Sequence, residues 1–237
     1  MTLLKIKSIY MTIPNKIKKI FAKPVAFDNA LRTKPISIKF GFDRGAPIDR
    51  YYIEKFLRNN AELIQGKVLE ISESTYSRKY GKDITSFEVL HYDTSNKKAT
   101  IIGDLTDCTT LPENTIDCFI CTQTYNFIYD IKKAIVGSYY LLKRDGVLLA
   151  TVSGISQISR YDMERWGDFW RFTDMSAKLL FEECFGVGNV EIGTFGNVLA
   201  AKCFLDGLAV EDIPDRTLLD VVDKDYQVTI GIKSIKK

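Results

Sequence analysis

The chain is poor in histidine, and it has no long apolar run, no glycine-rich dinucleotide fingerprint and no internal repeat. Each absence bears on function. No apolar stretch approaches the roughly 18 residues of a membrane-spanning helix, and lysines are too interspersed among the N-terminal apolar residues for a secretory signal. No GxGxxG follows a strand-like run, which argues against a nicotinamide-dependent oxidoreductase. His91 is the only histidine, so the single CxxC, Cys118 to Cys121, has no second Cys or His pair with which to hold a metal. The five cysteines are an odd number and several lie in apolar strand-like segments. They read as small buried hydrophobes of a reducing compartment, and the expected location is cytoplasmic.

What is present is enough material for a core. With 237 residues and 46% hydrophobic content the chain suits one α/β domain, and two would be cramped. The formal net charge of +3 is too balanced to point to nucleic acid. Its distribution is uneven: residues 1–50 hold eight Lys and three Arg against Asp28, Asp43 and Asp49, so the remainder is net acidic. This suggests a basic N-terminal arm, 1–38, followed by a domain, 39–237. Lys16, Lys18, Lys19 and Lys23 among Leu, Ile and Phe could lie on an anionic membrane surface. Pro14 and Pro24 interrupt any long helix there, which favours a docking arm.

The domain is organised around residues 66–76. Val68, Leu69 and Ile71 behind Gly66 predict a buried first strand of a parallel sheet, and Glu70 stands near its carboxyl end, the edge where open α/β sheets bind ligands. Ahead of it, Asp49 is placed to cap a helix running to about Ile64, with Tyr52, Phe56, Leu57 and Leu63 facing inward. A second strand after Tyr76 should end in an acid that takes ribose hydroxyls in a nucleotide-binding fold, and both Glu88 and Asp93 lie near the expected spacing of about 20 residues from Glu70. A strand reaching Asp93 leaves only Thr94 to Ala99 for the crossover, short of the usual dozen or so residues. Glu88 is therefore preferred and Asp93 is the alternative. A third strand, Thr100 to Gly103, delivers Asp104 and Leu105, and a fourth delivers Thr122 to Tyr125. A helix from Asp130 to Leu142, a fifth strand over Val147 to Val152, a helix capped by Thr173 and two further strands with a helical segment between them complete the chain. The long segment before Thr173 carries Trp166, Asp168, Trp170 and Arg171, and segments of this length are usually functional or disordered. The two tryptophans are four positions apart and share one side if the segment is helical. A hydrophobic cap on the sheet is the plainer alternative.

Three segments resemble motifs of class I S-adenosylmethionine (SAM) dependent methyltransferases. VLEISESTY (68–76) is similar to that family's VLEIGCGTG, GDLTDCTTLPENTIDCFICTQT (103–124) to its GDAxxLPFxxxxFDxV segment, and YLLKRDGVLLATV (140–152) to its LKPGG turn and following strand. The resemblance runs from about Arg44 to the C-terminus. It is closest to the methyltransferase type 11 subgroup, particularly members found with glycan-assembly enzymes. It implies an α/β fold with a Rossmann-like, doubly wound, seven-stranded, mostly parallel sheet and a terminal antiparallel strand. It also implies SAM as cofactor, held by Glu70, Ser72, Glu88 or Asp93, Asp104, Leu105 and Thr122, with Arg50 and Tyr51, beside Arg44, as lid residues. Tyr125, Trp166, Asp168, Trp170 and Arg171 would form the acceptor wall, for O-methylation of a sugar or glycan-linked acceptor. No catalytic base is named. Ser72, Ser74 and Tyr76 replace the motif's glycines, at a cost of about 1–2 kcal/mol for any of them that needs a left-handed backbone. The alternative is a catalytically silent methyltransferase-like module docked on a glycan-assembly partner.

Overall fold

The computed structural model describes residues 31–237. Its elements in order are α1 (Ile48–Asn59), β1 (Gly66–Ile71), α2 (Thr75–Tyr80), β2 (Ile84–His91), β3 (Ile101–Ile102), β4 (Ile116–Thr122), α3 (Ile131–Leu141), β5 (Leu142–Ser153), α4 (Arg160–Met163), α5 (Asp174–Phe185), β6 (Val190–Phe195), α6 (Val198–Leu205) and β7 (Thr229–Ile235). The strands form one sheet in the order β3-β2-β1-β4-β5-β7-β6. β1 to β5 pair in parallel, and β7 runs antiparallel to both β5 and β6. The expected seven-stranded, mostly parallel architecture is present. Residues 1–30, and with them most of the expected basic arm, lie outside the described residues.

The alternation of side chains along each central strand builds two cores. On one face Leu69, Phe119, Cys121, Leu148 and Ala150 pack with Ala134 and Ile135 of α3 and Phe181 of α5. On the other, Val68, Cys118, Ile120 and Leu149 pack with Ile53, Phe56 and Leu57 of α1. The two cysteines of the CxxC therefore face opposite layers. Burial pushes the Cys121 thiol up to about 12 and the Cys118 thiol higher still, so both are uncharged packing groups at neutral pH.

Several boundaries differ from expectation: α1 stops at Asn59, short of Ile64, and β5 begins at Leu142, ahead of Val147. Two further differences bear on the site. α1 begins directly after Pro47, whose φ of −55° suits helix entry, so Asp49 sits inside the first turn instead of capping it. The second difference is larger, because β2 runs through Glu88 to His91. Glu88 lies opposite Leu69, two residues before the end of the β1–β2 pairing, so the crossover argument that favoured it fails. The reason is the shortness of β3. Its two residues pair only with Leu90 and His91, so the chain climbs back to the top of β2 and not to its base, and residues 92–100 suffice without a helix.

Candidate functional site

The order reverses between β1 and β4, and a cleft of about 1680 Å³ opens there at the carboxyl ends of the parallel strands. A short link joins α1 to the base of β1, so α1 runs back across the sheet and brings Asp49, Arg50 and Ile53 to the cleft.

The β1–α2 turn carries one strained residue. Ser72 has φ 66°, whereas Ser74 is at −108° and Tyr76 lies within α2, so only one of the three replaced glycine positions needs a left-handed backbone. The turn is latched on both sides. The Ser72 amide donates to the Leu90 carbonyl at 3.0 Å, and its own carbonyl accepts from Asn96 Nδ2 at 2.7 Å. Ser72→Gly removes about 1–2 kcal/mol of strain and adds back about 0.4–1 kcal/mol of unfolded-chain entropy. A net stabilisation of roughly 0.5–1 kcal/mol is expected in denaturant titration, and a loss of stability would mean that the Ser72 side chain holds the turn.

Glu70 is 3% exposed, and its contacts differ from those of an open ligand. One oxygen accepts from the Tyr76 amide at 3.0 Å, and the other accepts from the Ser77 amide at 2.7 Å and from the Ser77 hydroxyl. It holds the start of α2 in place. Burial pushes its carboxyl above the usual range, and the three donors offset part of that rise.

At the β2 edge the cleft is lined by His91, Tyr92, Asn96 and Lys98. Neither acid proposed for the ribose is among the lining residues. Glu88 faces Ser86 Oγ at 2.6 Å and Lys67 Nζ at 3.5 Å in mid-strand. Asp93 lies on the rim, accepting from the Ser95 amide at 2.9 Å with His91 Nδ1 3.2 Å away. Asp104 and Leu105 do line the cleft, at the end of β3. Asp104 Oδ1 accepts from the Thr106 amide and hydroxyl at 2.8 and 2.9 Å.

Thr122 and Gln123 lie at the end of β4 and line the cleft. Gln123, one of the residues the fourth strand was expected to deliver, has φ 49°. The Ser153 amide donates to Asn126 Oδ1 at 3.2 Å, which orients the Asn126 amide, and Asn126 Nδ2 then donates to Gln123 Oε1 at 2.9 Å. Ser153 Oγ donates to the same oxygen at 2.7 Å. Gln123 Nε2 is thereby left buried with no partner among the described residues. Tyr125, expected on the acceptor wall, is fully buried, bonded to Ser138 Oγ at 2.7 Å and edge-on to Phe181. It is core.

The segment before α5 also departs from expectation. Only α4 is helical, and Gly167 at φ 92° turns the chain, so Trp166 and Trp170 do not share a helix face. Trp166 lines the cleft and is 48% exposed. Trp170 does not line it: its indole N–H donates to the Ile128 carbonyl at 3.1 Å, and its ring stacks on Tyr129. Asp168 and Arg171 line the cleft but bond to each other at 2.5 and 2.9 Å. Arg160 and Arg165 line the same wall, and among the described residues neither meets a carboxylate at ion-pair distance. Arg165 lies over the Tyr161 ring at 3.6 Å.

Of the lid residues, Arg50 reaches the cleft, with its guanidinium donating to Tyr76 Oη at 3.3 Å and lying 5.4 Å from the Phe42 ring centre. Tyr51, one position along the helix, points away and donates to Asp220 Oδ1 at 2.8 Å. Arg44 is held by both oxygens of Asp212 at 2.7 Å.

No protein-family profile and no curated protein sequence matches the chain. Solved structures do resemble it. A SAM-dependent methyltransferase from Archaeoglobus fulgidus is 12% identical with a TM-score of 0.50, over 79% of this chain and 94% of that one. Phosphoethanolamine N-methyltransferase 2 of Haemonchus contortus, in complex with SAM, is 12% identical with a TM-score of 0.53, over 78% of this chain and 52% of that one. The chain thus spans about half of the Haemonchus protein. At such identities the likeness is one of fold: the chain has the Rossmann-like fold of class I SAM-dependent methyltransferases.

Proposed function

We propose that the protein binds SAM in this cleft and directs transfer of its methyl group to a sugar or glycan-linked acceptor. The observation that carries the reading is the position of the cleft, at the strand-order reversal and bounded by the β1–α2 turn and Asp104. The residues present fit the cofactor. Asp104 keeps its second oxygen for an adenine amino group, and Ser72 and Glu73 of the latched turn line the cleft where the amino-acid portion would lie. SAM supplies an electrophilic methyl on a sulfonium, so the protein's part is mainly proximity and orientation. Thr122 and Gln123 border the position where the acceptor meets that methyl.

A sugar bearing a phosphate suits the facing wall, where Trp166 offers a ring face and Arg160 and Arg165 offer positive charge that meets no carboxylate among the described residues. Asp168 does not serve as a base in this reading, because Arg171 occupies both of its oxygens. The test is transfer of labelled methyl from SAM to sugar phosphates and to their uncharged counterparts. Transfer favouring the phosphorylated sugars supports the reading, and transfer to neither removes the acceptor class. The silent-module alternative draws on Ser72 and on the complete use of Glu70 by α2, and it is the outcome if the protein binds SAM but no acceptor is methylated.

A further inference from the structure

Asp49 and Arg50 are adjacent residues of opposite charge in the first turn of α1, and both line the cleft. We propose that they receive the zwitterionic amino-acid end of the cofactor, Asp49 taking its ammonium and Arg50 its carboxylate. This rests on the reading that the cleft takes SAM.

Asp49 is half-buried and accepts a hydrogen bond from the Arg50 amide at 2.8 Å. No cation stands within ion-pair distance of it among the described residues. Arg50, though next in sequence, sends its guanidinium to Tyr76 Oη and the Phe42 ring and likewise meets no carboxylate at ion-pair distance. Three other acids are compensated: Asp168 by Arg171, Asp212 by Arg44, Glu70 by amides. An uncompensated carboxylate in such a position is costly, and burial pushes the Asp49 acid up to about 6. Two neighbouring charges of opposite sign, neither in a side-chain ion pair at bonding distance among the described residues, match an α-amino acid, which carries one of each. Their place fits too, since Tyr76, bonded to Arg50, lies in the first turn of α2 and the pair overlooks the β1–α2 turn. The other charged or titratable groups lining the cleft from α1, the β1–α2 turn and the β2 and β3 ends are Lys39, Glu70, Glu73, Tyr76, His91, Tyr92, Lys98 and Asp104.

The test compares two probes by calorimetric titration of the full chain. S-adenosylhomocysteine carries the amino-acid end, and 5′-methylthioadenosine lacks it while keeping the adenosine and the sulfur. Asp49→Asn and Arg50→Met should each weaken S-adenosylhomocysteine about tenfold or more, the size of a lost charge-assisted bond. Methylthioadenosine should stay within about twofold. Wild-type affinity for S-adenosylhomocysteine should fall roughly fourfold between about pH 7.5 and about pH 5.5, as a carboxyl titrating near 6 becomes protonated. The fall should vanish in Asp49→Asn. Titration of Glu70 would instead act on both probes. The melting temperature of Asp49→Asn should not drop at neutral pH. A carboxyl raised above its unfolded value contributes stability below the unfolded pKa and loses it as pH rises through about 6, so neutralising it removes a cost. Equal losses for both probes, or an unchanged S-adenosylhomocysteine affinity, overturn the assignment. A wild type that binds neither probe overturns the cofactor reading beneath it.

Discussion

Glu70→Ala is expected to lower stability by about 3 kcal/mol, equivalent to a fall in melting temperature on the order of 10 °C for a chain of this size. Burying the carboxyl is itself unfavourable, as its raised pKa indicates. Removing it is worse. The alanine leaves the Tyr76 and Ser77 amides without acceptors, while the Ser77 hydroxyl keeps only its longer bond to the Ser74 carbonyl at 3.2 Å, and Ser77 is fully buried. Each orphaned buried donor costs about 1–3 kcal/mol, and water entering from the cleft relieves part of the sum. Glu70→Gln keeps one acceptor oxygen, so it should lose about half as much. Thermal melts of the two variants decide the matter. A change under roughly 1 kcal/mol for the alanine variant would mean that α2 begins without Glu70.

The second large effect concerns the segment between β5 and α5. Asp168, whose side chain is fully buried, accepts from Arg171 and from the Ser159 amide at 2.9 Å, and Arg171 Nη2 donates to the Gln157 carbonyl at 2.6 Å. One ion pair thus closes residues 157–171. Burial pushes the Asp168 acid up, but the Arg171 bonds and the Ser159 amide outweigh it and hold the acid below its usual value. A depressed carboxyl contributes stability above its unfolded pKa of about 3.9 and loses it only as pH falls through the lower folded value, so the segment stays closed across the neutral range. Breaking a fully buried pair costs about 3–5 kcal/mol, and the partial exposure of Arg171 reduces this to about 2–3 kcal/mol. Asp168→Ala should therefore speed amide exchange over residues 157–171 and abolish methyl transfer, with SAM affinity within about threefold. A loosened segment with full transfer activity would remove that wall from the acceptor site.

Much of the fold was legible because central parallel strands are continuous apolar runs, and the β1, β4 and β5 segments read as such from composition alone. The strain at Ser72 was legible for a related reason: a glycine in the similar motif marks a backbone that only glycine adopts cheaply. The β2 boundary was not legible, because the crossover length depended on β3 being two residues long, and nothing in the Ile101 to Gly103 stretch states that. Side-chain roles were the least legible. Tyr51 and Arg50 are adjacent, yet one bonds to Asp220, 169 positions away, and the other faces the cleft. Trp166 and Trp170 have helical spacing, but Gly167 turns the chain between them. Sequence spacing fixes neighbours only where the backbone is known to be regular.

The most direct measurement is calorimetric titration of the full chain with SAM at neutral pH, in the wild type and in Asp104→Ala. Asp104 lines the cleft at the end of β3, and its second oxygen has no partner among the described residues. One SAM per chain should bind saturably, and Asp104→Ala should weaken it about tenfold, the worth of one hydrogen bond to a charged acceptor. No heat at millimolar SAM, or binding indifferent to Asp104, would contradict the placement of the cofactor in this cleft.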